Sequence, residues 1–147
     1  MAFDIAALAA ADEADCEIVD ADGKKTGWVW TFAGPGHPAT IAIDNEMNAY
    51  RLARDAAKEK AQANGRKWKG DGESPEETAE RLREQSVNYI AARLLRWSDI
   101  EMAGAPYPCT KENARAILSN RAMGVVIDQA NAFLIDERSF IKRLATN

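Results

Sequence analysis

The stretch that most constrains this chain begins at Ser74-Pro75-Glu76-Glu77 and ends at Tyr107. Serine as N-cap, proline at the first helical position and glutamate three residues on form a capping box, which fixes a helix start. Ala79, Leu82, Ser86, Tyr89, Ile90, Arg93, Leu94 and Trp97 then recur on one side, with Glu76, Glu80, Arg83, Glu84 and Arg96 on the other. That period predicts a helix running to Trp97. The polar link after it holds Gly104, Pro106 and Pro108 and turns a corner. The stretch reads as a packing device and carries no reactive constellation.

Upstream, the period changes to two. Cys16-Glu17-Ile18-Val19-Asp20 and Thr26-Gly-Trp-Val-Trp-Thr-Phe32 predict two short strands around Asp22-Gly23, the pair that supplies a tight hairpin turn. Trp28, Trp30 and Phe32 alternate with smaller residues and so share one face. Residues 1–15 read as a short helix over Ile5 to Ala11 or a frayed terminus. Ala33-Gly-Pro-Gly-His-Pro38 reads as a loop, with Thr40 to Ile43 either a third strand or a lead-in to the next helix. Residues 44–64 then predict a helix capped by Asp44, its apolar stripe tapering from Ile43, Met47 and Tyr50 to Ala53, Ala57 and Ala61. Residues 65–73, with three glycines, three cations and Trp68, read as a mobile linker.

Beyond the corner, Thr110 caps a helix with Ala114, Ile117 and Leu118 on its apolar side. Met123, Val126, Ile127, Ala130, Phe133 and Leu134 mark another, and Phe140, Ile141 and Leu144 anchor the end. The expected fold is α+β, one domain over residues 1–147. It comprises an N-terminal β-hairpin and loop (16–43), two long helices (44–97) and C-terminal helices (98–147) in a small bundle. The expected core is Trp28, Trp30, Leu94, Trp97, Ile117, Leu118, Phe133 and Phe140.

Composition narrows the function classes. Among 147 residues, 19 are Lys or Arg and 23 Asp or Glu, a net charge of −4, which argues against general phosphate-backbone binding. No stretch approaches the ~20 apolar residues of a membrane span, and no basic start precedes the apolar Phe3–Ala11, so no signal peptide is expected. Cys16 and Cys109 stand far apart without CxxC spacing, which points to reduced thiols and no metal framework.

No HExxH, GxSxG or paired-cysteine motif occurs. Gly34-Pro-Gly36 lacks the Lys-Ser/Thr of a phosphate loop and the spacing of a dinucleotide site, so it is a turn. His37, the single histidine, has no nucleophile or orienting acid beside it in sequence and reads as a loop residue. Asp99 and Glu101 read as solvated carboxylates. No cofactor or metal is expected, nor catalysis. Partner contact, if any, falls on Tyr50, Arg54, Lys58 and Trp68, on the tapering helix and the linker after it.

The residues also carry a resemblance. Ala91-Ala-Arg-Leu-Leu-Arg-Trp97-Ser-Asp-Ile100, then Pro106-Tyr-Pro-Cys-Thr-Lys-Glu-Asn-Ala114, Ala116-Ile-Leu118, and the late Phe133 and Phe140 resemble the C-terminal pattern of tail assembly chaperones and related tail-region proteins of long-tailed bacteriophages. The upstream Ala33–Pro38 resembles the front half of such proteins. Cys109 stands where they often carry Phe. The resemblance spans roughly residues 16–140 through short motifs that specify packing. It implies a non-enzymatic helper in the host cytoplasm, absent from the finished particle, that binds the tape measure protein, with the tail tube protein as a second candidate partner. A homo-oligomer is a further expectation. Alternatives are a virion subunit of the tail or head–tail connector, and a small phage inhibitor of a host system.

Overall fold

The computed structural model describes residues 2–65 and 74–141. Its architecture is mixed α and β: an antiparallel sheet with helices gathered against its aromatic face. β1 (Glu13–Val19) and β2 (Lys25–Ala33) pair antiparallel with Cys16 opposite Trp30 and an irregularity between Glu17 and Val19. The turn between them is held by the Asp20 carboxylate, which accepts from the backbone N–H groups of Asp22 and Lys24 at 2.9 and 3.0 Å, while Gly23 takes φ +82°. β1 starts three residues before the expected boundary at Cys16. The expected N-terminal helix is a single 3-10 turn, Ile5–Leu8.

The largest departure from the sequence expectation is at the corner. α2 (Pro75–Arg93) stops at Arg93, and residues Leu94–Trp97 form β3, the third strand of the sheet, in the order β1-β2-β3 with Trp97 opposite Trp30. Four residues are too few for hydrophobic period to decide between helix and strand. What decides is the far edge of β2, whose backbone groups need partners. The Ser98 N–H donates to Val29 O at 2.8 Å, and the Val29 N–H donates to Ser98 Oγ at 2.8 Å. The corner itself folds into a small hairpin, β4 (Glu101–Met102) with β5 (Ala105–Pro106).

α1 (Pro38–Ala63) also departs from expectation, beginning six residues before the expected start at Asp44. Pro38 sits at the first helical position, where its missing N–H costs nothing. His37 is the cap, its Nδ1 accepting from the Ala39 N–H at 3.0 Å. The Gly- and Pro-rich run thus leads straight into a helix, and Thr40–Ile43 is its first turn rather than a strand.

α3 (Lys111–Ser119) is capped by Thr110, whose Oγ1 accepts from the Asn113 N–H at 3.0 Å. A 3-10 turn leads to α4 (Gly124–Ile135), and a second 3-10 turn, Glu137–Phe140, follows it. These helices do not form a self-contained bundle. Their apolar sides join one core with Ile18, Trp28, Trp30 and Phe32 of the sheet. Of the expected core, Trp28, Trp30, Trp97, Ile117, Leu118 and Phe140 are buried, while Leu94 and Phe133 are partly buried against it. Trp28, Trp30 and Trp97 meet with ring centroids 5.2–5.4 Å apart. Leu82, expected on the inner side of α2, is exposed; Val87, Ile90 and Arg93 are the buried residues of that helix.

Arg93 ties the layers together. It is buried, and its Nε and Nη2 both donate to Ala33 O, at 3.0 and 2.7 Å, while Nη1 donates to the Tyr89 hydroxyl at 2.9 Å. Its guanidinium lies over the Tyr89 and Phe140 rings, 5.5 and 5.2 Å from their centroids. Thr40 Oγ1 donates to the same Ala33 carbonyl at 3.3 Å. One carbonyl at the end of β2 therefore anchors both the start of α1 and the end of α2, and this sets how the two long helices leave the body.

Candidate functional site

From that anchor α1 leaves the core early. Thr40 and Ile43 are its only buried residues, and none from Asp44 to Ala63 is buried. A 26-residue helix extends about 39 Å, so most of α1 is an arm that borrows little stability from the core. Helices of this composition draw most of their stability from packing an apolar face. α1 nonetheless carries Ile41, Met47, Tyr50 and Leu52 in exposed positions, the last 61% accessible.

Ile43, Met47, Tyr50 and Arg54 fall three to four residues apart and line a cleft of about 560 Å³ between α1 and α2. The α2 wall is polar: Arg81, Glu84, Gln85 and Asn88. The cleft is an apolar floor with charged and amide groups along its rim, open along its length. Such a surface accepts an amphipathic helix through spaced apolar anchors, with rim groups fixing register.

Of the residues expected to contact a partner, Tyr50 and Arg54 line this cleft. Lys58 lies further along α1, exposed and outside the lining, and Trp68 lies outside the described residues. Met47 is the apolar neighbour that the stripe already marked. The α2 wall escaped because its residues have no hydrophobic period to betray them.

The other candidates take structural places. His37 is a helix cap, and Gly34 packs where a Cβ would overlap the Ala11 carbonyl oxygen. Cys16 is buried, and burial pushes its thiol up to about 11. Cys109 is partly buried beside the backbone N–H of Trp97; burial raises its thiol, and that N–H opposes the rise. The Glu13 carboxyl is lowered chiefly by its hydrogen bond to Arg96, whose Nη2 donates at 2.8 Å on the exposed side of the sheet. Among the described residues no group of three or more His, Cys, Asp or Glu side chains could hold a metal ion, and no helix is long and apolar enough to cross a membrane.

No family model matches the chain, and no curated protein or solved structure is significantly similar to it. The cleft and its residues therefore stand on their own chemistry.

Proposed function

We propose that this is a non-enzymatic binding protein that receives an apolar helix of a partner in the cleft between α1 and α2. Following the resemblance of residues 16–140, we propose that it acts as a tail assembly chaperone whose partner is the tape measure protein of a long-tailed bacteriophage. The observation that carries the reading is the exposed arm: an apolar stripe of Met47 and Tyr50 facing a polar α2 wall across an open cleft. Holding a partner's apolar face there keeps it from self-association until assembly, and needs no covalent step.

The test is co-expression with the tape measure protein of the same genome. Wild type should co-purify with it and keep it soluble. The double variant Met47→Asp/Tyr50→Asp, altered only at accessible positions, should keep its own fold but lose the complex. Failure of the wild type to co-purify with a partner that is soluble alone overturns the reading. Capture unaffected by the double variant moves the site away from the cleft.

A further inference from the structure

The cleft between α1 and α2 does not end at Asn88. A second hollow, of about 640 Å³, opens beside it, between the first turns of α1, the last turns of α2 and the start of α3. Ile43, Glu46 and Asn88 line both, so the two form one groove. Along α1 it reaches from Ala39 to Arg54, about 22 Å of helix. Met47 and Tyr50 give the outer half its apolar floor. In the inner half the floor is Ala39, Ala42, Ala91 and Ala92, with Leu94 and Leu95 at its end. Alanine leaves room for another backbone to come close, and leucine supplies apolar area to cover.

The charges along this groove run against the balance of the chain. The whole sequence is acidic, 23 Asp or Glu against 19 Lys or Arg. The groove is not. Arg51, Arg54 and Arg81 line its outer end, and Lys111 and Arg115 its inner end. The lining carboxylates are Glu46 and Glu84, both toward the middle. Asp55 and Glu112, the acids nearest those cations on their own helices, lie outside the lining. α3 also begins at the inner end with Thr110 and Lys111, so the positive end of its dipole adds to the cations there.

We infer, resting on the proposed function, that the segment received is an acidic amphipathic helix of about four turns that fills the whole groove, with its carboxylates at both ends. Its apolar face covers Met47, Tyr50 and the alanine floor. Its end carboxylates meet the outer arginines and the Lys111–Arg115 pair. A basic helix would set like charges against both ends. An uncharged one would cover five cations and return no opposite charge for the water they lose.

The probe is a fluorescein-labelled helical peptide of about 15 residues, with leucine along one face, glutamine in its middle and glutamate at both ends. Its counterpart carries lysine for each glutamate. In an anisotropy titration wild type should bind the glutamate peptide about tenfold more tightly than the lysine one, and the gap should close at high salt. Arg51→Glu should weaken the glutamate peptide about threefold and Lys111→Glu/Arg115→Glu about tenfold. Each variant should strengthen the lysine peptide, whereas damage to the fold would weaken both. Equal binding of the two peptides, or preference for lysine, overturns the inference and leaves the proposed function standing. An inner-end double variant without effect also overturns it, because the occupant is then confined to the outer cleft. If neither peptide binds, or if Met47→Asp/Tyr50→Asp leaves binding unchanged, helix capture in the cleft fails and the inference falls with it.

Discussion

Replacing Trp97 tests the account of the corner. The indole is 8% accessible and packs against Trp28, Trp30 and Tyr107, with centroids 5.3, 5.4 and 6.0 Å away. Its Nε1 donates to Tyr107 O at 3.0 Å, tying β3 to the far end of the small hairpin. Truncating a buried tryptophan to alanine costs about 3–5 kcal/mol through lost transfer energy and the residual cavity. The lost hydrogen bond adds about 1 kcal/mol, because the Tyr107 carbonyl is left unpaired. Trp97→Ala should therefore lose about 4–6 kcal/mol, a large part of a domain's stability. For a chain of this size that lowers the melting temperature by on the order of 10–20 °C. Trp97→Phe keeps a ring in the aromatic cluster and gives up the hydrogen bond and some volume, so it should cost about 1–2 kcal/mol. Urea unfolding followed by far-ultraviolet circular dichroism, at one protein concentration for all variants, gives both numbers. A midpoint for Trp97→Ala within about 1 kcal/mol of wild type would mean that β3 is not held by this residue. A phenylalanine variant as weak as the alanine one would assign the effect to the hydrogen bond instead of packing.

Three further outcomes follow from the same structure. Gly34→Ala should destabilise by about 3 kcal/mol or more, because the new Cβ overlaps the Ala11 carbonyl oxygen and backbone, not a side chain, must yield; a melting temperature matching wild type would contradict that packing. Ala103 sits at φ +52° beside Gly104 at φ +83° in the hairpin turn, so Ala103→Asn, which tolerates this region better, should raise stability by about 0.5–1 kcal/mol in the same assay, and a loss would count against the turn. Because burial lifts the Cys16 thiol from its ordinary value near 9 to about 11, the unfolded chain releases that proton first as pH rises. Stability should thus be constant with respect to this group below pH 9 and fall between 9 and 11, by on the order of 1–2 kcal/mol. In Cys16→Ala that part of the slope should vanish, and an unchanged slope would show that the thiol is not the cause.

Trp28 and Trp30 differ from Trp97 in one respect. Their indole N–H groups are buried without a hydrogen-bond partner among the described residues. The near-perpendicular contacts of Trp28 with Trp30 and with Trp97, at 75° and 73°, give aromatic edges and faces to each other instead.

Local chemistry was enough to determine the pieces that are closed within a few residues. The Ser74 and Thr110 caps, the Asp20–Gly23 turn and the shared face of Trp28, Trp30 and Phe32 each depend on neighbours in sequence, and each is where the residues put it. Part of the candidate cleft was legible in the same way, because Ile43, Met47 and Tyr50 follow the stripe of α1. Tertiary structure decided the rest. The last four residues of the expected second helix became β3 because the free edge of β2 needed partners, which no window around Leu94 reveals. Arg93 could be buried only because the Ala33 carbonyl of β2, the Tyr89 hydroxyl and ring of α2, and the Phe140 ring of the last 3-10 turn converge on it. The polar α2 wall of the cleft has no period of its own and becomes a wall only when α1 lies across from it. Which apolar residues stay exposed, Leu82 and Leu52 among them, depends on what covers each face, and that is a property of the assembled chain.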